Sequence, residues 1–122
     1  MNDGKRTPQA LGQAGEEIAC AYLTEKKYSI VTRGFRMFRG EIDIIAWDGP
    51  TLVFVEVKAR ADESFGRPEE SVTPAKQRQI RKIAQGYVLE NPPGDVACRF
   101  DVIAILFGED NAYRLEHYVD AF

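Results

Sequence analysis

Gly40-Glu-Ile-Asp-Ile-Ile-Ala-Trp-Asp-Gly-Pro-Thr-Leu-Val-Phe-Val-Glu-Val-Lys-Ala59 is the stretch whose reading decides the fold. Two runs rich in branched and aromatic residues flank Asp48-Gly49-Pro50, a strong turn signal. The spacing predicts a hairpin of two strands, Glu41 to Trp47 and Thr51 to Ala59. Side chains alternate along a strand, so Glu41 and Asp43 should share one face and Ile42 and Ile44 the other. By the same rule Glu56 and Lys58 should share a face, with Val55 and Val57 on the opposite one. Charges set among branched apolar residues must pair, reach solvent or bind something, because burying them alone is costly.

Outward from the hairpin, Gly15 to Lys27 shows helical spacing, with Ile18, Ala19, Tyr22 and Leu23 on one face. Tyr28 to Thr32 reads as a short strand, and Gly34 to Gly40 as a turn-rich basic stretch containing Arg36 and Arg39. Residues 60–72 read as a long loop, a length that in a compact domain points to function or disorder; here it suggests a substrate-facing flap. Thr73-Pro74 marks a helix start, with Thr as the cap and Pro in the first turn, and Asn91-Pro-Pro-Gly94 ends that helix near Glu90. Arg99 to Phe107 is a buried-looking strand and Tyr113 to Tyr118 a last edge strand. The order α-β-β-β-α-β-β implies a mixed sheet covered by helices. Residues 1–11 read as a flexible leader and residues 12–122 as a single domain, which 122 residues can fill with one core.

Composition narrows the chemistry. There is one histidine, His117, and two cysteines, Cys20 and Cys98, expected as buried free thiols of a reducing compartment. This excludes zinc sites built on two or three histidines, and any metal centre must rest on carboxylates, which suit Mg²⁺ or Mn²⁺. No apolar run is long enough to span a bilayer, and Met1 to Thr7 has no apolar secretory core, so a cytoplasmic protein is expected. The net charge of −3 hides an asymmetry. Residues 1–25 carry −2 and residues 83–122 carry −5, but residues 26–82, with twelve Lys/Arg against eight Asp/Glu, carry +4. The segment holding the hairpin is therefore basic around a few acids, a weak nucleic-acid footprint.

On the residues alone, Asp43 and Glu56 on neighbouring strands repel unless a cation lies between them. Mg²⁺ uses one or two carboxylates and leaves positions for water and phosphate. Lys58 beside it would orient or activate a water and offset phosphate charge. Helix geometry at 100° per residue puts Glu16 about 20° from Leu23, near the core face, and Glu17 about 120° away. A first-turn acid favoured by the helix dipole is the plainer reading of Glu16. Gln77 faces inward on the second helix, as a buried amide or a site residue. Asp101 leans inward from an apolar strand and reads as structural. Lys76, Arg78, Arg81 and Lys82 crowd the second helix, as a solvated face or as phosphate contacts.

Gly40-Glu-Ile-Asp43 followed by Val55-Glu-Val-Lys58 resembles the PD-(D/E)xK signature of the restriction-endonuclease-like superfamily, with Ile42 in place of the proline. Together with Gly15-Glu16-x-x-Ala19-x-x-Tyr22-Leu23, Phe54-Val-Glu-Val-Lys-x-Arg60, Val72-Thr-Pro-x-Lys76-Gln77 and Arg99-Phe-Asp-Val102, it resembles the YraN-like family. Those are small bacterial proteins grouped with predicted endonucleases and similar to archaeal Holliday junction resolvases. The resemblance spans about residues 12–107. It implies an α/β fold, a restriction-endonuclease-like three-layer α/β/α with a central mixed β-sheet flanked by helices. It also implies a Mg²⁺- or Mn²⁺-dependent endonuclease acting on DNA, with branched or junction DNA among the candidate substrates; the sequence does not distinguish DNA from RNA. Asp43 and Glu56 would be the metal ligands, and Asp43, Glu56, Lys58, Glu16 and Gln77 the catalytic set. Arg36, Arg39, Arg60, Lys76 and Arg78 would contact nucleic acid. The acidic balance and small surface favour a second copy or a protein partner. The rival reading is a nucleic-acid-binding module that keeps the site but serves recruitment or structure.

Overall fold

The computed structural model describes residues 7–61 and 72–122. Helix α1 spans Pro8–Glu25, followed by β1 (Ser29–Met37), β2 (Gly40–Asp48) and β3 (Thr51–Arg60). Helix α2 (Pro74–Glu90) then leads to β4 (Cys98–Phe107), a 3₁₀ turn over Glu109–Asn111 and β5 (Tyr113–Tyr118). The five strands form one sheet in the order β1-β2-β3-β4-β5. All neighbours are antiparallel except β3 and β4, which α2 joins as a parallel crossover.

Each helix covers one face of the sheet. On the α1 side, Ala19, Leu23 and Tyr28 pack on Ile44, Ala46, Val53, Val55, Ile103 and Ile105. On the α2 side, Ile80, Ile83, Ala84 and Tyr87 pack on Ile42, Ile45, Leu52, Phe54 and Val102. The central strands β2, β3 and β4 are buried on both faces, which is why their apolar runs are nearly continuous. The result is the expected three-layer α/β/α arrangement. No helix among the described residues is long and apolar enough to cross a membrane.

Four local features differ from the sequence reading. Helix α1 begins at Pro8, so residues 8–11 of the expected leader are helical. The Thr7 hydroxyl accepts the Ala10 N–H at 3.0 Å, the same Thr-Pro start as at Thr73-Pro74, where Thr73 accepts the Lys76 N–H at 3.2 Å. Residues 34–37, expected as turn, belong to β1, because Gly34 uses its positive φ of 63° within the strand rather than to reverse the chain. Cys98 is exposed at the rim where β4 starts, and Cys20 is only partly buried; both are free. Finally, Ile42 and Ile44 lie on opposite faces of the sheet, because the alternation of β2 breaks at Asp43. Most of the expected flap, residues 62–71, lies outside the described residues, as do residues 1–6.

Candidate functional site

The break at Asp43 makes the site. Strands β2 and β3 are paired from Asp48 opposite Thr51 to Ile44 opposite Val55, and then they part. Asp43 is the first residue beyond the pairing. Its Oδ2 accepts the Val57 N–H at 2.7 Å, so a carboxylate takes the place of a strand partner for that donor. Across on β1, the pairs Arg33–Ile44 and Phe35–Ile42 bracket Gly34, and a Cβ at Gly34 would lie 3.5 Å from the Glu41 carboxylate. That is ordinary contact distance, so it is the positive φ of 63° rather than space that calls for glycine here. Asp43 and Glu41 thus share the α1 side of the fork.

Helix α1 supplies the third acid. A Cβ at Gly15 would lie 2.9 Å from the Ala59 Cβ, so glycine is what lets the helix approach β3 this closely. Glu16, next in the chain, is carried to the fork, while Glu17 stays exposed and pairs with Arg33 at 2.9 Å. Because α1 starts at Pro8, Glu16 lies well inside the helix, where no terminal dipole favours an acid. One carboxylate oxygen from each of Glu16, Glu41 and Asp43 lies within 4.8 Å of the other two. Glu41 also pairs with Arg36 at 3.3 Å, and Glu16 with Arg33 at 3.8 Å. Among the described residues no cation pairs with Asp43.

Strand β3 presents the second half. Val53, Val55 and Val57 belong to the α1 side, which turns Glu56 and Lys58 toward α2. Glu56 is 5% exposed. Its Oε2 lies 3.6 Å from Lys58 Nζ and 3.3 Å from Lys76 Nζ on α2. Its Oε1 is buried with no hydrogen-bond partner among the described residues. Burial first, then the charge of Glu56, push the Asp43 carboxyl up to about 8, against the Val57 hydrogen bond that favours its charged form. Burial and then Glu41 raise Glu16, with Arg33 opposing.

Crowded carboxylates that protonate unless neutralised, together with an orphaned carboxylate oxygen, fit a hard cation. The donor set is all oxygen, as Mg²⁺ and Mn²⁺ prefer. Glu16, Glu41 and Asp43 form the cluster that would hold such an ion; Glu56, expected from sequence as a ligand, lies outside it, beside Asp43 and paired with Lys58 and Lys76. Glu41 was not among the ligands expected from sequence, although its place two residues before Asp43 on one strand was the available signal. Arg33, which braces Glu16 and Glu17 from β1, carried no sequence signal.

The other expected residues are placed less uniformly. Gln77 donates its amide to the Val72 carbonyl at 3.1 Å and lines a groove of about 490 Å³ with Val102, His117 and Phe122. Among the described residues it makes no hydrogen bond to Asp43, Glu56 or Lys58. Lys76 reaches Glu56, and Arg39 lies in a groove that Lys76 also lines. Arg36 is 83% exposed beside Glu41. Arg60, at the end of β3, donates to its neighbour's carbonyl, and Arg78 is exposed on α2.

A second polar centre lies across the sheet on β4 and β5, where Asp101 is level with Val55 of β3. Asp101 is fully buried and accepts four hydrogen bonds: two from Arg99 at 2.9 and 3.0 Å, one from the Asp120 N–H at 3.0 Å and one from His117 Nε2 at 2.8 Å. With the ring proton on Nε2, the Tyr22 hydroxyl donates to Nδ1 at 3.1 Å. Arg99 also binds Asp48 at 3.0 Å and the Tyr28 hydroxyl at 2.8 Å. Burial alone would raise Asp101, but the hydrogen bonds from His117 and Arg99 outweigh it and lower its carboxyl. The lone histidine is thus tied into the structure, and Asp101 is structural as its apolar strand suggested.

Residues 15–105, which run from Gly15 in α1 to Ile105 in β4, match the uncharacterised protein family UPF0102. The UPF0102 protein of Geotalea daltonii is 50% identical over 120 residues, covering 98% of this chain and 94% of that protein. The UPF0102 protein of Chlorobium limicola is 49% identical over 120 residues, 94% of this chain and 93% of its own. That of Geobacter sulfurreducens is 47% identical over 122 residues, the whole of this chain and 95% of its own. The chain belongs to the UPF0102, or YraN-like, family.

Proposed function

We propose that this protein is a metal-dependent endonuclease that hydrolyses DNA phosphodiester bonds. One observation carries the reading. Where β2 and β3 part, Asp43 stands between the carboxylates of Glu16 and Glu41 on one side and the Glu56–Lys58 pair on the other. A fold needs no such cluster, because repulsion among carboxylates opposes it.

Glu16, Glu41 and Asp43 would hold Mg²⁺ or Mn²⁺, with Glu56 beside Asp43. A bound divalent ion supplies Lewis-acid polarisation of a phosphoryl oxygen and lowers the pKa of water. The rest falls to the chain. Asp43 is fixed by its hydrogen bond to the Val57 N–H, so its second oxygen is held in the fork. Lys58, mostly buried, brings one ammonium beside Glu56, where it orients the attacking water and offsets charge on the phosphate. Lys76 reaches the same carboxylate from α2 and would meet the scissile phosphate or its neighbour.

Labelled junction, flap, single-stranded and duplex DNA, incubated with Mg²⁺ or Mn²⁺, tests this. Cutting that depends on metal and is lost in Asp43→Ala and Lys58→Ala is the expected result. Structure-selective binding without cutting at high protein concentration would instead establish the binding-module reading.

A further inference from the structure

The hairpin joining β1 to β2 has a two-residue turn, Phe38-Arg39, closed by the pair Met37–Gly40. Both turn residues have positive φ, 55° and 60°. Such turns are normally Asn-Gly, because L side chains avoid this region, and a bulky residue there is a genuine outlier. Strain of this kind persists where a side chain is wanted for something other than the fold. Phe38 is not core: it is 49% exposed. Nor is it loose. Gln79 donates to its carbonyl at 3.2 Å, Lys82 Nζ lies 4.7 Å from its ring centroid, and a Cβ at Gly86 would lie 3.0 Å from the ring edge. The ring is seated on α2 with the rest of its surface open.

The turn opens onto a groove of about 410 Å³, lined by Arg39, Glu41, Thr73, Lys76 and Gln79 among others. Its two ends are different. One is Arg39, whose turn neighbour Phe38 stands beside the groove with Lys82 over its ring. The other reaches the acidic centre, since Glu41 belongs to both and Lys76 touches Glu56. Arg39 and Lys76 line the way, and the carboxylate among the lining residues, Glu41, is already paired with Arg36. A basic track beside a fixed, half-open aromatic ring is the arrangement that holds a single strand: the cations follow its phosphates and the ring takes a base. Bases within a duplex already stack on both faces, whereas an unpaired base has a π-face to give.

We propose that Phe38 is a stacking platform for an unpaired nucleotide, and that the groove between it and Asp43 holds single-stranded nucleic acid. This rests on the nuclease reading and narrows its substrate class to strands with unpaired nucleotides beside the cut. Phe38 is a positioning residue, since it lies outside the acidic centre.

The test is binding of fluorescent oligo(dT) and of a blunt duplex by the full chain in EDTA, where nothing is cut. Phe38→Asn suits the turn's positive φ, so its melting temperature should equal or exceed that of the wild type. It should nonetheless weaken oligo(dT) binding by roughly 5- to 100-fold, the range expected for loss of one base–aromatic stack, and leave duplex binding unchanged. Phe38→Trp should restore the oligo(dT) affinity. Unchanged oligo(dT) binding in Phe38→Asn, or an equal loss on the duplex, would overturn the proposal while leaving the nuclease reading in place. If the wild type binds neither strand nor duplex, the nuclease reading fails and takes this inference with it.

Discussion

Two polar centres are built into the same sheet, and they are opposites. At the Asp101 end every acceptor is used: one buried carboxylate takes four hydrogen bonds, and Arg99 is shared between Asp101 and Asp48. Around Asp43 the cations reach only its neighbours, Arg33 to Glu16, Arg36 to Glu41, and Lys58 and Lys76 to Glu56; none among the described residues pairs with Asp43, and one buried oxygen of Glu56 has no partner among them. The carboxyls respond in opposite directions, Asp101 lowered and Asp43 raised to about 8. A satisfied cluster holds a fold together. A frustrated one, kept on a rigid sheet between two cores, is held ready for a ligand that brings positive charge.

Substitution should separate the two centres by sign. Asp101→Ala leaves the Arg99 guanidinium half-buried without its main partner, and should cost about 3–5 kcal/mol in urea or thermal unfolding. A loss below about 1 kcal/mol would show that the network is ornamental rather than structural. Asp43→Asn keeps the shape and removes the need to take up a proton on folding. It should stabilise the metal-free protein by roughly 1–3 kcal/mol near neutral pH, while abolishing cleavage. Destabilisation by Asp43→Asn would mean that the acid is there for the fold.

The pH dependence sharpens the same contrast. A carboxyl raised in the folded state contributes stability that is complete below its unfolded value and is lost as pH rises through the folded one. The metal-free protein should therefore lose stability between about pH 4 and 8, and Asp43→Asn should flatten that slope. Asp101 acts the other way. Its contribution is complete above the ordinary carboxylate range and is lost as pH falls through its lowered value. Unfolding in acid should therefore be driven from the Asp101 end. Melting temperatures across pH, taken in chelator, check both limbs. The smallest expected effect lies outside both centres: Thr7→Ala removes the α1 cap and should cost about 1 kcal/mol, with no change in the slope with pH.

Much of this was legible in the chain. The hairpin, the α2 start at Thr73-Pro74 and the last two strands follow from turn chemistry and apolar runs, which are local. The opposing faces of Val55 and Val57 against Glu56 and Lys58 follow from alternation, and the approach of Glu16 rather than Glu17 follows from helix angle. The rest was set by tertiary context. The break at Asp43, which puts Ile42 and Ile44 on opposite faces, depends on β2 leaving β3 and on Gly34 across from it; no local pattern announces it. The same glycine, read alone, looks like a turn. Thr7-Pro8 carried a helix-start signal identical to Thr73-Pro74, masked by the polar residues before it. The four-bond Asp101 centre joins α1, β4, β5 and the C-terminal segment, residues far apart in sequence, so His117 looked isolated.

The central claim is that the Asp43 end is a cation site and the Asp101 end is not. Calorimetric titration of the full chain with Mn²⁺ near pH 7, repeated in buffers of different ionisation enthalpy, tests it most directly. The account predicts saturable binding with release of protons, because Asp43 holds its proton until a cation displaces it, and loss of that binding in Asp43→Asn. No saturable binding by the wild type, or equal binding by Asp43→Asn, would contradict it.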